Sequence, residues 1–292
     1  MYPSRFGYEA PRTLDEAIGL LHDGAGEAKV LAGGQSLVPL LKLRFAAPEL
    51  LVDINNLPDL DFHRREADGT LRIGALCRHA DLEHSALLPD QQPTMAAAAP
   101  LIADPLVRNR GTLVGSLCHA DPQGDWASVV TALGGHVVAV GPNGRRSIPV
   151  GDFVSGPFQN VLDFDEVAVE AVIPPAQGER AGGYLKLERR VGDFATVGVA
   201  VALELSADRQ VLRAGIALTG VGSSTIDAAD AAGALVGAAL TETSIEQAAA
   251  AAAEAARPRS DHRGSAEYKR HIVHTFVTRI LNRADAGTER AA

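Results

Sequence analysis

Two glycine-bearing segments, about eighty residues apart, constrain the fold of this chain more than any other feature. The first reads Ala32-Gly33-Gly34-Gln35-Ser36 and follows an apolar pair. The second reads Arg108-Asn109-Arg110-Gly111-Thr112-Leu113-Val114-Gly115-Ser116. Glycines let a backbone approach a ligand closely, and neighbouring hydroxyl and free N–H groups can bind anions. Two such segments can hold the two ends of a long phosphate-bearing cofactor.

The first segment is typical of a strand, a turn and a helix in succession. Residues 29–32 predict a short strand, Gly33 and Gly34 predict the turn, and residues 36–43 predict the helix. Free N–H groups and the dipole at the start of that helix would attract an anion. The pattern is not the G-x-G-x-x-G fingerprint of dinucleotide-binding folds, so an ordinary Gly-Gly turn is an open alternative.

The second segment, which we interpret as a loop, carries more chemistry. Gly111 and Gly115 relax the backbone, and Thr112 and Ser116 supply hydroxyl groups. Further along, Asp125 could accept hydrogen bonds from sugar or ribityl hydroxyl groups. The alternative is a helix–strand connection with a capped helix at Asp125. The residues alone leave both interpretations open.

Charge and hydropathy exclude several classes of protein. The net charge of −9 disfavours nucleic acid and anionic membranes as partners, because both require a basic face. No apolar run reaches the length that a membrane-spanning helix requires. With 292 residues, 46% of them hydrophobic, the chain is expected to be globular and built from two or three subdomains.

The two cysteines, Cys77 and Cys118, do not form a C-x-x-C pair. A zinc or iron–sulfur site made of clustered thiolates is therefore not expected in this chain, and no metal ligand is predicted. No secretory signal is visible at the start of the sequence. We therefore expect a cytoplasmic protein with reduced thiols.

The pattern of strands and helices predicts three units, at residues 1–57, 58–175 and 176–292. The first is a small α/β unit. The second contains strands at residues 70–75, 136–140 and 167–173, with a hairpin turn at Asn143-Gly144. The third contains an antiparallel meander of three strands and then three helices, predicted at residues 184–187, 197–205, 211–219, 224–235, 244–257 and 265–283. Residues 284–292 are expected to fray.

Taken together, the motifs resemble the FAD-binding medium subunit of the molybdenum hydroxylases, whose members include carbon monoxide, xanthine and N-heterocycle dehydrogenases. The resemblance covers essentially the whole chain. The motifs that carry it, in chain order, are Ala32 to Ser36, Leu51-Val52-Asp53-Ile54, Thr112 to Ser116, Pro122 with Asp125, Val161-Leu162, Tyr184-x-Lys186 and Asp193-Phe194-Ala195. Several motifs in the right order are far more specific than either glycine segment alone.

The resemblance implies an α+β fold. Its first two subdomains would form a vanillyl-alcohol-oxidase-like FAD cradle. A C-terminal three-stranded antiparallel sheet with a three-helix bundle would follow. The resemblance also implies that FAD is bound non-covalently in the cradle.

The resemblance further implies roles for particular residues. Near the pyrophosphate it implies Ala32, Gly33, Gly34, Gln35, Ser36 and Leu37. Thr112, Gly115 and Ser116 would hold the other side of the phosphates and the ribityl chain, and Asp125 would bind ribityl or ribose hydroxyl groups. Leu162 and Lys186 would lie close to the flavin, and Phe194 near its ring system. Lys186 would otherwise extend to solvent, since it lies in an apolar strand. No residue here is expected to act on the organic substrate.

One residue departs from the family pattern, which usually has two adjacent glycines in the second segment. Val114 stands where the first of them would be. A β-branched residue does not easily adopt a positive φ. Either the backbone keeps a negative φ here or FAD lies slightly differently. On this basis Val114→Gly is expected to leave FAD occupancy unchanged or higher.

The implied function is electron transfer. Molybdopterin and [2Fe-2S] clusters would lie on partner subunits only, a small iron–sulfur subunit and a large molybdenum subunit, in a heterotrimer that the resemblance suggests can dimerise. One alternative is a stand-alone FAD oxidase or reductase with flavin joined to Cys118 or His119. Those residues are neighbours, which on a strand would point to opposite faces. A second alternative is a module that only scaffolds a complex.

Overall fold

In the computed structural model, residues 2–287 are described. Three sheets and a small hairpin are connected by short helices, and the strands and helices below are numbered in chain order. The first sheet is parallel, with strand order β1-β3-β2. Its elements are β1 (Gly7–Glu9), α1 (Leu14–Asp23), β2 (Ala28–Leu31), α2 (Leu37–Leu43) and β3 (Leu50–Asp53).

The start of α1 shows how local sequence sets this unit. The Thr13 hydroxyl accepts a hydrogen bond from the Glu16 N–H, and the Glu16 carboxylate accepts one from the Thr13 N–H, which is a capping box. One face of the helix then buries Ala17 and Leu21. The strand, turn and helix predicted around Gly33 are confirmed by β2 and α2.

The second sheet is antiparallel and five-stranded, with order β4-β5-β10-β6-β7. Its strands are β4 (His63–Arg65), β5 (Leu71–Gly74), β6 (His136–Gly141), β7 (Gly144–Pro149) and β10 (Val167–Ile173). A separate hairpin joins β8 (Val154–Gly156) to β9 (Gln159–Asn160). The helices of this part are α3 (His79–Glu83), α4 (Leu88–Gln91), α5 (Pro93–Ala98), α6 (Pro105–Arg108), α7 (Leu113–His119), α8 (Asp125–Ala132) and α9 (Val150–Phe153). The three predicted strands and the hairpin between β6 and β7 are confirmed.

The second glycine segment is not the loop that the sequence predicted. Its latter half forms the first turns of α7, because the Thr112 hydroxyl caps the helix by accepting a hydrogen bond from the Gly115 N–H at 3.1 Å. Cys118 and His119 therefore lie at the end of a helix, and the prediction that they lie on a strand was wrong.

The third sheet is antiparallel, with order β11-β12-β13-β14. Three of its strands, β11 (Glu179–Leu187), β12 (Val197–Leu205) and β13 (Val211–Thr219), are those predicted. The structure adds a fourth, β14 (Ile226–Asp227), at the edge. The helix predicted over 224–235 is shorter than expected. Ile226 and Asp227 instead pair with β13, where they can hydrogen-bond the backbone groups at its edge. Only α10 (Ala229–Gly233) is helical in that stretch.

The two long C-terminal helices complete this unit. α11 (Glu242–Ala255) is capped by Thr241, whose hydroxyl accepts a hydrogen bond from the Ser244 N–H, so the helix begins two residues before the predicted start at residue 244. α12 (Ala266–Asp285) is capped by Ser265 and confirms the helix predicted over 265–283. Fraying was predicted from residue 284 onwards, but Ala284 is helical and buried, so the predicted start was wrong. Residues 288–292 lie outside the described part of the chain.

β12 explains how the third unit joins the rest. All nine of its residues are buried, and alternate residues face opposite sides of the sheet. Val199, Val201 and Leu203 belong to the core under α10, α11 and α12. Ala200 and Ala202 belong to the core shared with the first two sheets. The third sheet is therefore covered on both faces, and its small residues let α5 and α8 pack closely.

Within residues 2–287, none of the helices has the length and apolar character needed to span a bilayer. The boundaries predicted at residues 57 and 175 remain predictions about how the chain divides.

Candidate cofactor site

The two glycine segments meet in space. A methyl group on Gly33 would overlap the carbonyl oxygen of Arg110 and lie 2.8 Å from the Cα of Gly111. Backbone therefore contacts backbone at this crossing, and a side chain at Gly33 would separate the two segments.

A cavity of about 670 Å³ adjoins this crossing. Its volume falls in the range of small-molecule and cofactor sites. Every residue that the resemblance assigns to FAD binding lines this cavity: Ala32, Gly33, Gly34, Gln35, Ser36, Leu37, Thr112, Gly115, Ser116, Asp125, Leu162, Lys186 and Phe194. The structure brings all of them to one cavity, while their individual contacts with a cofactor stay predictions.

The first segment presents unused N–H groups to the cavity. Gly34 has a φ of +74°, which turns the chain sharply from β2 towards α2. In the described part of the chain, the N–H groups of Gln35, Ser36 and Leu37 donate to no other protein group. The Ser36 hydroxyl makes no capping bond to α2. These groups suit an anionic ligand.

A side-chain clamp ties the two segments together. The Arg78 guanidinium donates to the Arg110 carbonyl at 2.8 Å and to Asn55 Oδ1 at 2.6 Å. Asn55 in turn donates to the Ala32 carbonyl at 2.8 Å. Burial and the nearby Arg110 lower the pKa of Arg78 below its usual range. Sequence reasoning missed this clamp, since neither Arg78 nor Asn55 lies in a glycine motif.

The second segment keeps its shape through Thr112. A methyl group on Gly115 would lie 2.7 Å from the Thr112 hydroxyl oxygen, the same atom that caps α7. Val114 lies inside α7, is absent from the positive-φ residues and is only 2% exposed. Of the two alternatives for Val114, the negative φ is therefore the one observed.

Asp125 and Lys186 form a buried ion pair in the cavity wall. Lys186 Nζ lies 3.0 Å from Asp125 Oδ2 and donates to the Leu101 carbonyl at 2.9 Å. Tyr184 donates its hydroxyl hydrogen to Asp125 Oδ1 at 2.6 Å. The Lys186 side chain is 2% exposed, so the alternative that it extends to solvent was wrong. The Asp125 carboxylate already accepts hydrogen bonds from Lys186 and Tyr184, so a hydroxyl group of a cofactor would be a third donor.

Burial has the largest effect on the pKa values of Asp125 and of its hydrogen-bond partner Tyr184. Burial raises the pKa of Asp125, against the opposing effects of Lys186 and Tyr184. Burial and the adjacent carboxylate also raise the pKa of Tyr184 well above 10. Glu188 adds a second carboxylate, with Oε2 3.4 Å from Lys186 Nζ but without a hydrogen bond in the described structure.

Aromatic side chains surround the cavity. Phe158, Phe164 and Phe194 line it and are each more than half exposed. Leu162 lies on a segment held by Glu166, whose carboxylate accepts two hydrogen bonds from Arg146 at 2.6 and 2.7 Å. These contacts fix the part of the wall that the sequence assigned to the flavin.

A second feature that sequence reasoning missed lies beneath the glycine crossing. Trp126 Nε1 donates to His79 Nδ1 at 3.0 Å, and both side chains line the cavity. Burial, with smaller effects of Arg108 and Arg78, lowers the pKa of His79 to about 4. The imidazole is therefore neutral at neutral pH. Two single residues 47 positions apart give no pattern from which this contact could be predicted.

The neighbouring residues Cys118 and His119 also line the cavity. Burial raises the pKa of the Cys118 thiol to about 12, so the thiol is protonated and a poor nucleophile. The His119 ring packs against Phe158 at 5.2 Å between ring centroids. Neither side chain is in an activated state.

The side chains and backbone present fit an extended phosphate-bearing cofactor. Free N–H groups, glycines in close contact and hydroxyl groups lie at one end, and apolar and aromatic groups lie at the other. The fold and the cavity thus define a cofactor-binding α+β protein.

Comparison with known proteins identifies the cofactor. Residues 4–176 match the family described as the FAD binding domain in molybdopterin dehydrogenase. Residues 183–284 match the CO dehydrogenase flavoprotein C-terminal domain. The chain belongs to the family of FAD-binding medium subunits of molybdenum hydroxylase-type dehydrogenases, which are oxidoreductases.

Two curated relatives cover nearly the whole chain. The carbon monoxide dehydrogenase medium chain of Hydrogenophaga pseudoflava is 41% identical over 97% of this chain and 98% of its own. The 6-hydroxypseudooxynicotine dehydrogenase complex subunit alpha of Paenarthrobacter nicotinovorans is 38% identical over 97% of this chain and 96% of its own.

A solved structure agrees. Carbon monoxide dehydrogenase from Hydrogenophaga pseudoflava, in a form lacking the Mo-pyranopterin moiety of its cofactor, superposes with a TM-score of 0.93 and 42% identity over all of both chains. The α+β fold with an FAD-binding part and a flavoprotein C-terminal domain is thereby confirmed.

Proposed function

We propose that this chain is the electron-transfer subunit of a multi-subunit molybdenum hydroxylase. In this role it receives electrons from iron–sulfur clusters on a small partner subunit and passes them to an external acceptor. A large partner subunit holds the molybdenum cofactor and oxidises the organic substrate. The chemistry that bound FAD supplies is the exchange between one-electron and two-electron transfer.

The observation that carries this proposal is the meeting of the two glycine segments at one cavity in which neither Cys118 nor His79 is activated for catalysis. Cys118 is a protonated thiol, His79 is neutral, and Asp125 is paired with Lys186. This arrangement supports the binding of a cofactor rather than acid–base or nucleophilic chemistry on a second substrate. It also favours non-covalent FAD, because covalent attachment to Cys118 would need a thiolate.

The names of the relatives support the proposal that this chain works together with partner subunits. They are medium chains or subunits of dehydrogenase complexes, and one solved relative is a Cu,Mo-CO dehydrogenase. The exposed rings of Phe158, Phe164 and Phe194 around the cavity give a partner an apolar surface to cover. A heterotrimer, able to dimerise and located in the cytoplasm, is part of the proposal. The two free thiols, Cys77 and Cys118, are consistent with that compartment.

The alternative is a stand-alone FAD oxidase or reductase on the same fold. It requires space for a substrate beside the flavin and, in its covalent form, attachment through Cys118 or His119. The raised pKa of Cys118 and the packing of His119 on Phe158 favour the electron-transfer function.

The first experiment distinguishes the two functions by testing whether the flavin is covalently attached to the protein. The purified chain is precipitated with acid, and the visible spectrum of the supernatant and the pellet is recorded. Flavin entirely in the supernatant is expected for non-covalent FAD. Flavin that stays with the pellet would favour the stand-alone oxidase.

The second experiment tests electron transfer in the assembled complex. The chain is co-expressed with candidate iron–sulfur and molybdenum subunits, either as wild type or as Gly33→Val, in which the side chain blocks the crossing. The variant complex is expected to retain reduction of its metal centres by the substrate and to lose transfer to the external acceptor. Turnover of carbon monoxide, nicotine or glyceraldehyde by the isolated chain would contradict the proposal.

A further inference from the structure

One ring nitrogen of a side chain in the cavity wall has no protein partner within residues 2–287. His79 is 5% exposed, and its Nδ1 accepts the hydrogen bond from Trp126 Nε1. Within residues 2–287 its other ring nitrogen, Nε2, makes no hydrogen bond. Because His79 lines the cavity, this nitrogen is available to a bound ligand.

The contact with Trp126 fixes which ring nitrogen of His79 carries the proton. An indole N–H can only donate, so Nδ1 must be the unprotonated acceptor. In the neutral imidazole the proton then lies on Nε2. His79 therefore holds an N–H donor ready for an acceptor that the protein itself does not provide.

The position of this donor points to the cofactor. The His79 main-chain N–H donates to the Gly111 carbonyl at 2.9 Å, which fixes the residue against the second glycine segment. A methyl group on Gly111 would lie 2.8 Å from His79 Nε2, and the side chain forms part of the cavity wall. The donor thus lies at the crossing of Gly33 and Gly111.

We propose that His79 Nε2–H donates a hydrogen bond to an oxygen atom of bound FAD, and that Trp126 is the positioning residue that holds the required tautomer. Phosphate and hydroxyl oxygens of the cofactor are both acceptors, so a neutral N–H donor suits either. Because the ring is neutral, it adds direction without adding charge. This inference rests on FAD binding, which is part of the proposed function.

Two substitutions separate this role from a purely structural one. In His79→Asn the amide oxygen can occupy the place of Nδ1 and still accept from Trp126, but no donor reaches the place of Nε2. In His79→Gln the longer amide can place an N–H near Nε2, but the acceptor for Trp126 is lost. Each variant therefore keeps one of the two contacts of the ring.

The experiment measures two quantities for wild type, His79→Asn and His79→Gln in the full chain. The first is the dissociation constant for FAD after removal and stepwise return of the cofactor. The second is the melting temperature of the FAD-free protein. For His79→Asn we expect FAD affinity about tenfold weaker and an unchanged melting temperature. For His79→Gln we expect near-normal affinity and a lower melting temperature.

Three results would overturn the inference. They are the opposite order of FAD affinities, equal affinities for all three proteins, and affinity losses that simply follow the melting temperatures. A wild-type chain that binds no FAD would instead contradict the proposed function, so the two failures can be told apart.

The role of Trp126 has its own spectroscopic test. With ¹⁵N-labelled histidine, wild type is expected to show His79 protonated at Nε2 alone. Trp126→Phe removes the donor to Nδ1 and is expected to give a mixture of tautomers and several-fold weaker FAD binding. A single Nε2–H tautomer in Trp126→Phe, with unchanged FAD affinity, would show that Trp126 does not position the ring.

Discussion

The backbone of Gly33 lies against that of Gly111, so closely that a methyl group on the first would come within 2.8 Å of the Cα of the second. Two segments that are far apart in the chain therefore share one wall of the cofactor cavity. The crossing depends on the lack of a side chain at Gly33, because the atoms that a methyl group would meet belong to the main chain and cannot rotate away.

Gly33→Ala tests this crossing. The methyl group must push the second segment away from the first, so FAD affinity is expected to fall at least tenfold. FAD titration of the purified chain measures the effect. Gly19→Ala is the matched control, since Gly19 is exposed in α1 with no atom near the added methyl group. It should bind FAD normally and gain about 0.5–1 kcal/mol of stability. Normal FAD affinity in Gly33→Ala would contradict the close contact.

Arg78→Lys tests the clamp between the segments. A lysine cannot hold the Arg110 carbonyl and Asn55 together in the way that the planar guanidinium does. We expect roughly tenfold weaker FAD binding by the same titration and little loss of secondary structure by circular dichroism. Arg64→Lys, at an exposed ion pair with Glu66, should leave FAD affinity unchanged. Equal affinities for the two variants would show that the clamp does not shape the site.

A double-mutant cycle should show a strong energetic coupling between the buried side chains of Asp125 and Lys186. Asp125→Asn leaves a buried ammonium group without its main counter-charge, and Lys186→Met leaves a buried carboxylate unpaired. Each change is expected to cost about 3 kcal/mol in the free energy of unfolding, measured with urea. The double variant should cost clearly less than the sum. The exposed pair of Arg64 and Glu66 should show coupling below about 1 kcal/mol. Additive effects at Asp125 and Lys186 would argue against a direct ion pair.

Stability should fall as the solution becomes more acidic, because His79 is buried in its neutral form. Its pKa is lowered from 6.5 to about 4, mainly by burial and further by Arg108 and Arg78. Between these values the unfolded chain binds a proton that the folded chain does not, so stability is full above pH 6.5 and is lost towards pH 4. The loss is about 1.4 kcal/mol per pH unit at most, or about 3 kcal/mol in all.

The variant His79→Asn isolates this contribution. Urea unfolding of the FAD-free protein at several pH values should show a shallower acid loss in the variant than in wild type. Parallel pH profiles for the two proteins would mean that His79 titrates normally in the folded state.

For Val114→Gly the structure adds an expected loss of stability to the unchanged FAD occupancy that the sequence suggested. Val114 is helical and buried, so the change removes apolar packing and adds a flexible residue inside α7. The free energy of unfolding should fall by about 2–3 kcal/mol. FAD occupancy at saturation should stay near that of wild type. Lost occupancy without lost stability would show that Val114 acts on the cofactor directly.

Local patterns in the sequence determined much of this protein. The order of β2, Gly33, Gly34 and α2 followed from an apolar run, a turn and a helix, all within sixteen residues. The three long strands of the third unit and the helix α12 were also predicted from the sequence. The resemblance added which residues should face FAD, and all of them line one cavity. These signals could be found because the interactions behind them, caps, turns and periodic burial, act between near neighbours.

Tertiary structure alone decided how those pieces meet. Nothing near Gly33 in sequence indicates that it contacts Gly111, and nothing near Arg78 indicates that it joins Arg110 to Asn55. The pairing of His79 with Trp126 and of Asp125 with Lys186 arises only when packing removes water from side chains that are far apart in the chain. The same holds for β14, whose two residues form a strand because β13 offers them an edge. Desolvation and close packing depend on the whole fold, whereas the glycines and hydroxyl groups that suit a cofactor could be recognised from their own chemistry.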